Sequence, residues 1–153
     1  MLSMARYYPK LFGGLCSHFR FHPALGRAKE LLDEDFCGNV VMMDMRIACQ
    51  SLIAREGYSW KCSHIAGGGA LNIYGSQLID LIQYLSEERI EEVYGSLNTF
   101  YNQTDAIKGY RSVTSDDFCS AQVKCFNGVC ASFVINCTLP EGCLLYTSDA
   151  ADE

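Results

Sequence analysis

Chemistry in this chain concentrates between Trp60 and Asp80, where the sequence reads W-K-C-S-H-I-A-G-G-G-A-L-N-I-Y-G-S-Q-L-I-D. Three glycines ahead of a helix offer backbone N–H groups and room for close ligand approach. They also suit a tight turn into the helix. The run is not a dinucleotide fingerprint, because no G-x-G-x-x-G follows a strand. Nor is it a phosphate loop, because no Gly-Lys-Ser/Thr follows. Within the stretch, Trp60 is an aromatic anchor, His64 a loop imidazole able to reach a ligand or simply to be solvated, and Asp80 a helical carboxylate that reads foremost as a structural hydrogen-bonding group.

Elsewhere the chemistry is sparser. His18 and His22 have no metal-ligand spacing with any partner. Asp116-Asp117, after Thr114-Ser115, suits a turn entering a strand. The chain carries 9 cysteines but no C-x-x-C pair, so most read as small buried hydrophobes rather than zinc ligands or a disulfide framework. Cys125 and Cys130 flank Asn127-Gly128 and would face each other across a two-residue hairpin turn, at a separation that admits a cross-strand disulfide. Asn102 and Asn136 head N-x-T glycosylation patterns, which matter only for a secreted protein.

The elements that position these residues follow from periodicity. Residues 1–10 have helical spacing closed by Pro9 and read as the end of a helix. A short strand is expected over 14–20. His22-Pro23 opens a helix through Leu25, Ala28, Leu31 and Leu32, with Gly38 as its stop. A strand follows over 39–49 and a polar, aromatic loop over 50–66. Residues 67–85 carry the central amphipathic helix, with Leu71, Gly75, Leu78 and Ile82 on one stripe. A strand over 90–100, broken by Gly95, leads into a polar connection over 101–110. The runs 117–126 and 129–138 flank Asn127-Gly128 as a hairpin, which is not expected to form the sheet edge. The fold class is α+β: a truncated, mostly antiparallel sheet with helices on one face.

With 153 residues, 49% hydrophobic and 20% charged, the chain is long and apolar enough for a folded core. A net charge of −6 without any Lys/Arg cluster argues against nucleic acid and anionic membrane as partners. No apolar run reaches the ~18 residues of a spanning helix. Residues 143–153 lack periodicity and match the in-frame translation of a sequencing adapter. They are read as a non-native tail, and without Asp149, Asp152 and Glu153 the charge falls from −6 to −3.

The run G-G-G-A-L-x-x-x-G-x-x-x-x-D, preceded by Trp60, resembles the Gfo/Idh/MocA family of NAD(P)-dependent sugar oxidoreductases, and within it the glucose-fructose oxidoreductase domain-containing branch. Further residues carry the likeness: A-R-Y-Y-P-K-L (5–11), F-R-F-x-P-A (19–24), Trp60 with Cys62, T-D-x-I-K-G (104–109), V-T-S-D-D-F-C (113–119) and G-V-C (128–130). The resemblance implies a fragment: residues 1–20 ending a cofactor-binding Rossmann domain, and residues 21–142 opening a C-terminal α+β domain that walls a sugar or polyol pocket. NAD(P) would bind the full-length protein, with no cofactor-binding residue in this piece and no metal. Homodimerisation through the sheet is a further implication.

By the same resemblance, Trp60, Gly67, Gly68, Gly69, Ile73, Gln77 and Asp80 would contact substrate. Catalytic relatives place an aspartate and a histidine one helical turn apart, at the positions held here by Ile73 and Gln77. Those two share a face with Asp80 and Tyr84 at helical spacing. Gln77 can hydrogen-bond a hydroxyl but cannot take its proton at neutral pH, and Ile73 can do neither. Two functions therefore stand side by side: an NAD(P)-dependent oxidoreductase-like protein, or a catalytically inactive interaction protein, secreted or matrix-associated, on the same fold. The sequence leaves both a secreted and a cytoplasmic location open.

Overall fold

Alternation on two strands sets the architecture. In the computed structural model, which describes residues 16–50, 58–106 and 109–139 together with Tyr7 and Lys10, Cys119, Ala121, Val123 and Cys125 are buried on one face of a strand. Ala131, Phe133, Ile135 and Cys137 are buried on the same face of its neighbour. Period-two burial of this kind turns every apolar side chain toward one layer. That layer is the central helix, whose Leu78 and Ile82 join the same core with Ala70 ahead of them.

The strands are β1 (Met42–Gln50), β2 (Ile90–Asn98), β3 (Gln103–Ala106), β4 (Gly109–Ser112), β5 (Phe118–Cys125) and β6 (Cys130–Leu139); the α-helices are α1 (Pro23–Asp33) and α2 (Ser76–Ser86). Four strands form a sheet in the order β1-β6-β5-β2, and β3 pairs with β4 in a separate hairpin. β2 and β6 both run antiparallel to β5, while β1 is parallel to β6. The sheet is thus mixed but mostly antiparallel, in agreement with the α+β class. β6 is flanked on both sides, so the final hairpin is not the edge.

Four local readings need correction. The expected strand over 14–20 is, over its described part, a 3-10 turn at His18–Phe21. Arg20 and Phe19 are drawn onto α2 and the core by contacts that local propensity does not encode. Gly95 does not break β2. The strand runs through it, and a Cβ there would lie 2.9 Å from the Ser120 carbonyl oxygen, so glycine permits close strand approach. The polar connection over 101–110 contains the β3–β4 hairpin. Finally, Cys125 and Cys130 cannot bridge. The turn takes three residues, Phe126 to Gly128, with the Cys125 amide donating to the Val129 carbonyl and Gly128 at φ +86°. Lys124, not Cys125, is therefore opposite Cys130, and the two cysteines lie on opposite faces, one buried and one exposed.

α1 begins with Pro23 at its first turn and is closed by a turn in which Asp35 and Gly38 adopt positive φ. Its buried Lys29 reaches Asp33 and, at 2.6 Å, Glu87 at the end of α2. No described helix is long and apolar enough to cross a membrane. The expected helix over 1–10 and the tail 143–153 fall outside the described residues, apart from Tyr7 and Lys10.

Candidate functional site

The triple glycine is built into the protein rather than left open. Gly67 and Gly68 donate their amides to the His64 and Ser63 carbonyls at 3.0 and 2.9 Å. Ala70 donates to the Asp116 carbonyl at 2.9 Å, and Leu71 to the Asp116 carboxylate at 2.7 Å. A helix N-terminus leaves its first amides unsatisfied; here an aspartate 45 residues downstream satisfies one of them. Close approach explains two of the glycines. A Cβ on Gly68 would lie 2.2 Å from the Lys61 carbonyl oxygen, and one on Gly69, at φ +113°, 2.1 Å from the Asp116 carboxylate. The amides of Gly67, Gly68, Ala70 and Leu71 are thus taken up within the protein.

The segment V-T-S-D-D-F-C is the hub that fixes this loop. Val113 is buried against Cys62 with Tyr58 beside them. Thr114 donates its amide to the Cys62 carbonyl at 2.9 Å, and Ser115 its hydroxyl to the Lys61 carbonyl at 2.7 Å. The buried Asp117 carboxylate accepts the amides of Phe100 and Tyr101 at 2.7 to 3.0 Å. Residues read as a plain turn thus tie together the glycine loop, the exit of β2 and β6, whose Cys137 amide donates to the Asp117 carbonyl. Nothing local in the sequence signals this, because each partner is distant along the chain.

Past the glycines the backbone is wider than an α-helix. Leu71–Gly75 is a π turn, and Ser76 donates to the Leu71 carbonyl five residues back. Such insertions cluster at functional sites, and this one contains Ile73. Gln77 follows at the start of α2, and its side-chain oxygen is buried with no hydrogen-bond partner. Buried acceptors are ordinarily satisfied, and among the described residues none satisfies this one.

Asp80 and Tyr84 share a face of α2, and Arg20 occupies it. The guanidinium donates to both Asp80 carboxylate oxygens at 2.5 and 2.6 Å and lies 5.0 Å from the Tyr84 ring centroid. The Arg20 bond holds the Asp80 carboxyl below its usual pKa, with help from Ser17. Asp80 is therefore held as an anion paired with Arg20. Trp60 stands on a 3-10 turn, Trp60–Cys62, and is 55% exposed. His64 is exposed as well. Asn136 lies within β6, its side-chain oxygen accepting from Thr138, whereas Asn102 is exposed. An apolar groove of about 570 Å³ between α2 and β2 is lined by Leu71, Ile79, Ile90, Val93 and Leu97 and does not include Trp60, Ile73 or Gln77.

Sequence profiles place this arrangement in a family: that of the GFO/IDH/MocA C-terminal domain matches residues 25–148, and the chain belongs to the Gfo/Idh/MocA family as that domain. Within it, the chain is 41% identical over 140 residues to human (Homo sapiens) glucose-fructose oxidoreductase domain-containing protein 2, covering 92% of this chain and 36% of that protein. The chain thus spans about a third of the length of the curated relatives it matches. Two solved structures show the same fold. An NAD-binding oxidoreductase from Klebsiella pneumoniae superposes with a TM-score of 0.74 at 22% identity, over 89% of this chain and 37% of that one. Levoglucosan dehydrogenase in complex with NADH and L-sorbose superposes with a TM-score of 0.71 at 21% identity, over 82% and 34%.

Proposed function

We propose that this chain forms one wall of a sugar or polyol pocket in a longer NAD(P)-dependent oxidoreductase-like protein. In that arrangement residues 1–20 close a cofactor domain and residues 21–142 open the substrate domain. The observation that carries the reading is the buried, unpartnered carbonyl oxygen of Gln77, just past the π turn that holds Ile73. A ligand hydroxyl donating to that oxygen removes the cost of leaving it unsatisfied. Trp60 and the rim of Gly67 to Gly69 lie upstream on the same loop and would bound the pocket, while Asp80, held by Arg20, fixes the helix rather than touching ligand. Levoglucosan dehydrogenase, with NADH and a sugar bound, supports the ligand class by likeness of fold.

In this reading NAD(P) sits in the remainder of the protein and supplies hydride chemistry when bound. This chain's own residues orient a hydroxyl and exclude water. They do not supply the base that removes a carbinol proton, because Gln77 cannot accept it and Ile73 has no polar group. That pair favours a second reading, in which the fold keeps its ligand and has lost turnover, as an interaction protein would. The open sheet face, with Met42 and Tyr94 exposed, is the surface through which two copies would pair.

The test is thermal unfolding of the complete protein with saturating NADP(H) and NAD(H), then with added polyols. The reading expects stabilisation by cofactor and a further increment with polyol. No shift with either cofactor overturns it.

A further inference from the structure

Cys49 and Cys137 meet at the seam between β1 and β6. The register shifts there: Ala48 pairs with Asn136, but Gln50 pairs with Leu139. The extra residue on β6 leaves Cys49 beside Cys137, both on the helix-covered face, with their sulfurs 3.2 Å apart. A disulfide needs ~2.05 Å, so closure requires about 1.2 Å of sulfur movement, within reach of side-chain rotation.

The surroundings distinguish the two thiols. Cys137 is fully buried, while Cys49 is half-buried. Hydrogen bonding from Cys137, aided by Tyr74, draws the Cys49 thiol down to about 7; the same contact and burial push Cys137 up. Burial, followed by the neighbouring Cys49, raises the Tyr74 phenol to about 12, so it stays a donor. Since the thiolate is the nucleophile, Cys49 is the attacking thiol and Cys137 the resolving one.

We propose that Cys49 and Cys137 form a reversible disulfide, exchanged with low-molecular-weight disulfides of the glutathione type. The Cys49 thiolate attacks one sulfur of glutathione disulfide; that S–S bond breaks, and the first glutathione leaves as thiolate and takes up a proton. Cys137, losing its proton, attacks the Cys49 sulfur of the mixed disulfide and expels the second glutathione. Two protein thiols are oxidised, and one glutathione disulfide is reduced to two thiols. Closure removes the Cys49 thiol as the partner of Tyr74, and Tyr74 belongs to the π turn that holds Ile73. The bond's formation does not depend on the pocket reading.

The experiment equilibrates the complete protein across ratios of glutathione disulfide to glutathione, quenches with acid, alkylates and maps peptides after trypsin and chymotrypsin. The expected result is a linked peptide containing Cys49 and Cys137, two hydrogen masses lighter than its reduced parts and lost again on return to reducing ratios. Cys137→Ser leaves Cys49 as a glutathione mixed disulfide; Cys130→Ser leaves the linked peptide intact. Equal alkylation of Cys49 and Cys137 at both extremes overturns the proposal, as does a linked peptide that persists in Cys137→Ser.

Discussion

The Asp116 carboxylate accepts the amide of Leu71 at 2.7 Å, while its main-chain carbonyl accepts that of Ala70 at 2.9 Å. The turn entering the central helix has no capping side chain of its own, since Gly69 and Ala70 precede Leu71. A side chain from the loop before β5 takes that role. Asp116→Ala should lower stability by about 1–2 kcal/mol, the usual cost of a lost N-cap. Asp116→Asn, which keeps an acceptor oxygen, should lose less. Urea unfolding of both variants checks this, with an unchanged m-value marking a change in stability alone.

The three glycines should not respond alike. Gly67 has φ +85° with open space beside it, so Gly67→Ala carries only the left-handed backbone cost of about 1–2 kcal/mol. Gly68→Ala drives a Cβ into the Lys61 carbonyl, and Gly69→Ala meets Asp116 while also holding a positive φ. Both should lose more than twice as much as Gly67→Ala, measured as shifts in the denaturation midpoint. Three equal losses would contradict the built loop described above.

The Arg20–Asp80 pair gives a pH signature. The folded-state pKa of Asp80 is lowered, so its stabilisation is fully present above the unfolded value of ~3.9 and fades as pH falls through the folded value. Arg20 is 40% exposed, which limits the effect to under about 1 kcal/mol. The stability difference between the native chain and Asp80→Asn should therefore be constant near neutrality and shrink as pH drops below about 4. Chemical denaturation at a series of pH values reads it.

Sheet and helices were legible wherever burial is periodic. β5, β6, α1 and the Asn127-Gly128 turn follow from alternation, a helix-starting proline and turn chemistry. Three long-range facts left no local trace: the Arg20 contact that draws residues 18–21 into a turn on α2, the bulge that brings Cys49 to Cys137, and the Asp116 cap. The turn around Gly128 misled by one residue, because its type fixes which face a cysteine occupies. At the candidate site, the lack of an acid and a base at Ile73 and Gln77 was readable. The π turn was not, although Gly75 within it leaves no room for a Cβ beside Leu71 and Ile135.

If Gln77 stands where a base is needed, Gln77→His should raise the rate of NAD(P) reduction by polyol in the complete protein. General-base assistance is worth about 10²–10⁴-fold where geometry allows, and spectrophotometric assay at neutral pH reads the gain. A loss of activity in the variant would mean that Gln77 already serves the reaction.

The most direct measurement is calorimetric titration of polyols into the complete, cofactor-saturated protein and its Gln77→Leu variant. Binding to the native chain is expected, with about tenfold weaker affinity in Gln77→Leu, the worth of one hydrogen bond. Unliganded Gln77→Leu should be no less stable than the native chain, because it removes a buried acceptor that has no partner. Equal affinity in the two proteins, or no heat with any polyol, would mean that Gln77 does not bind a polyol hydroxyl.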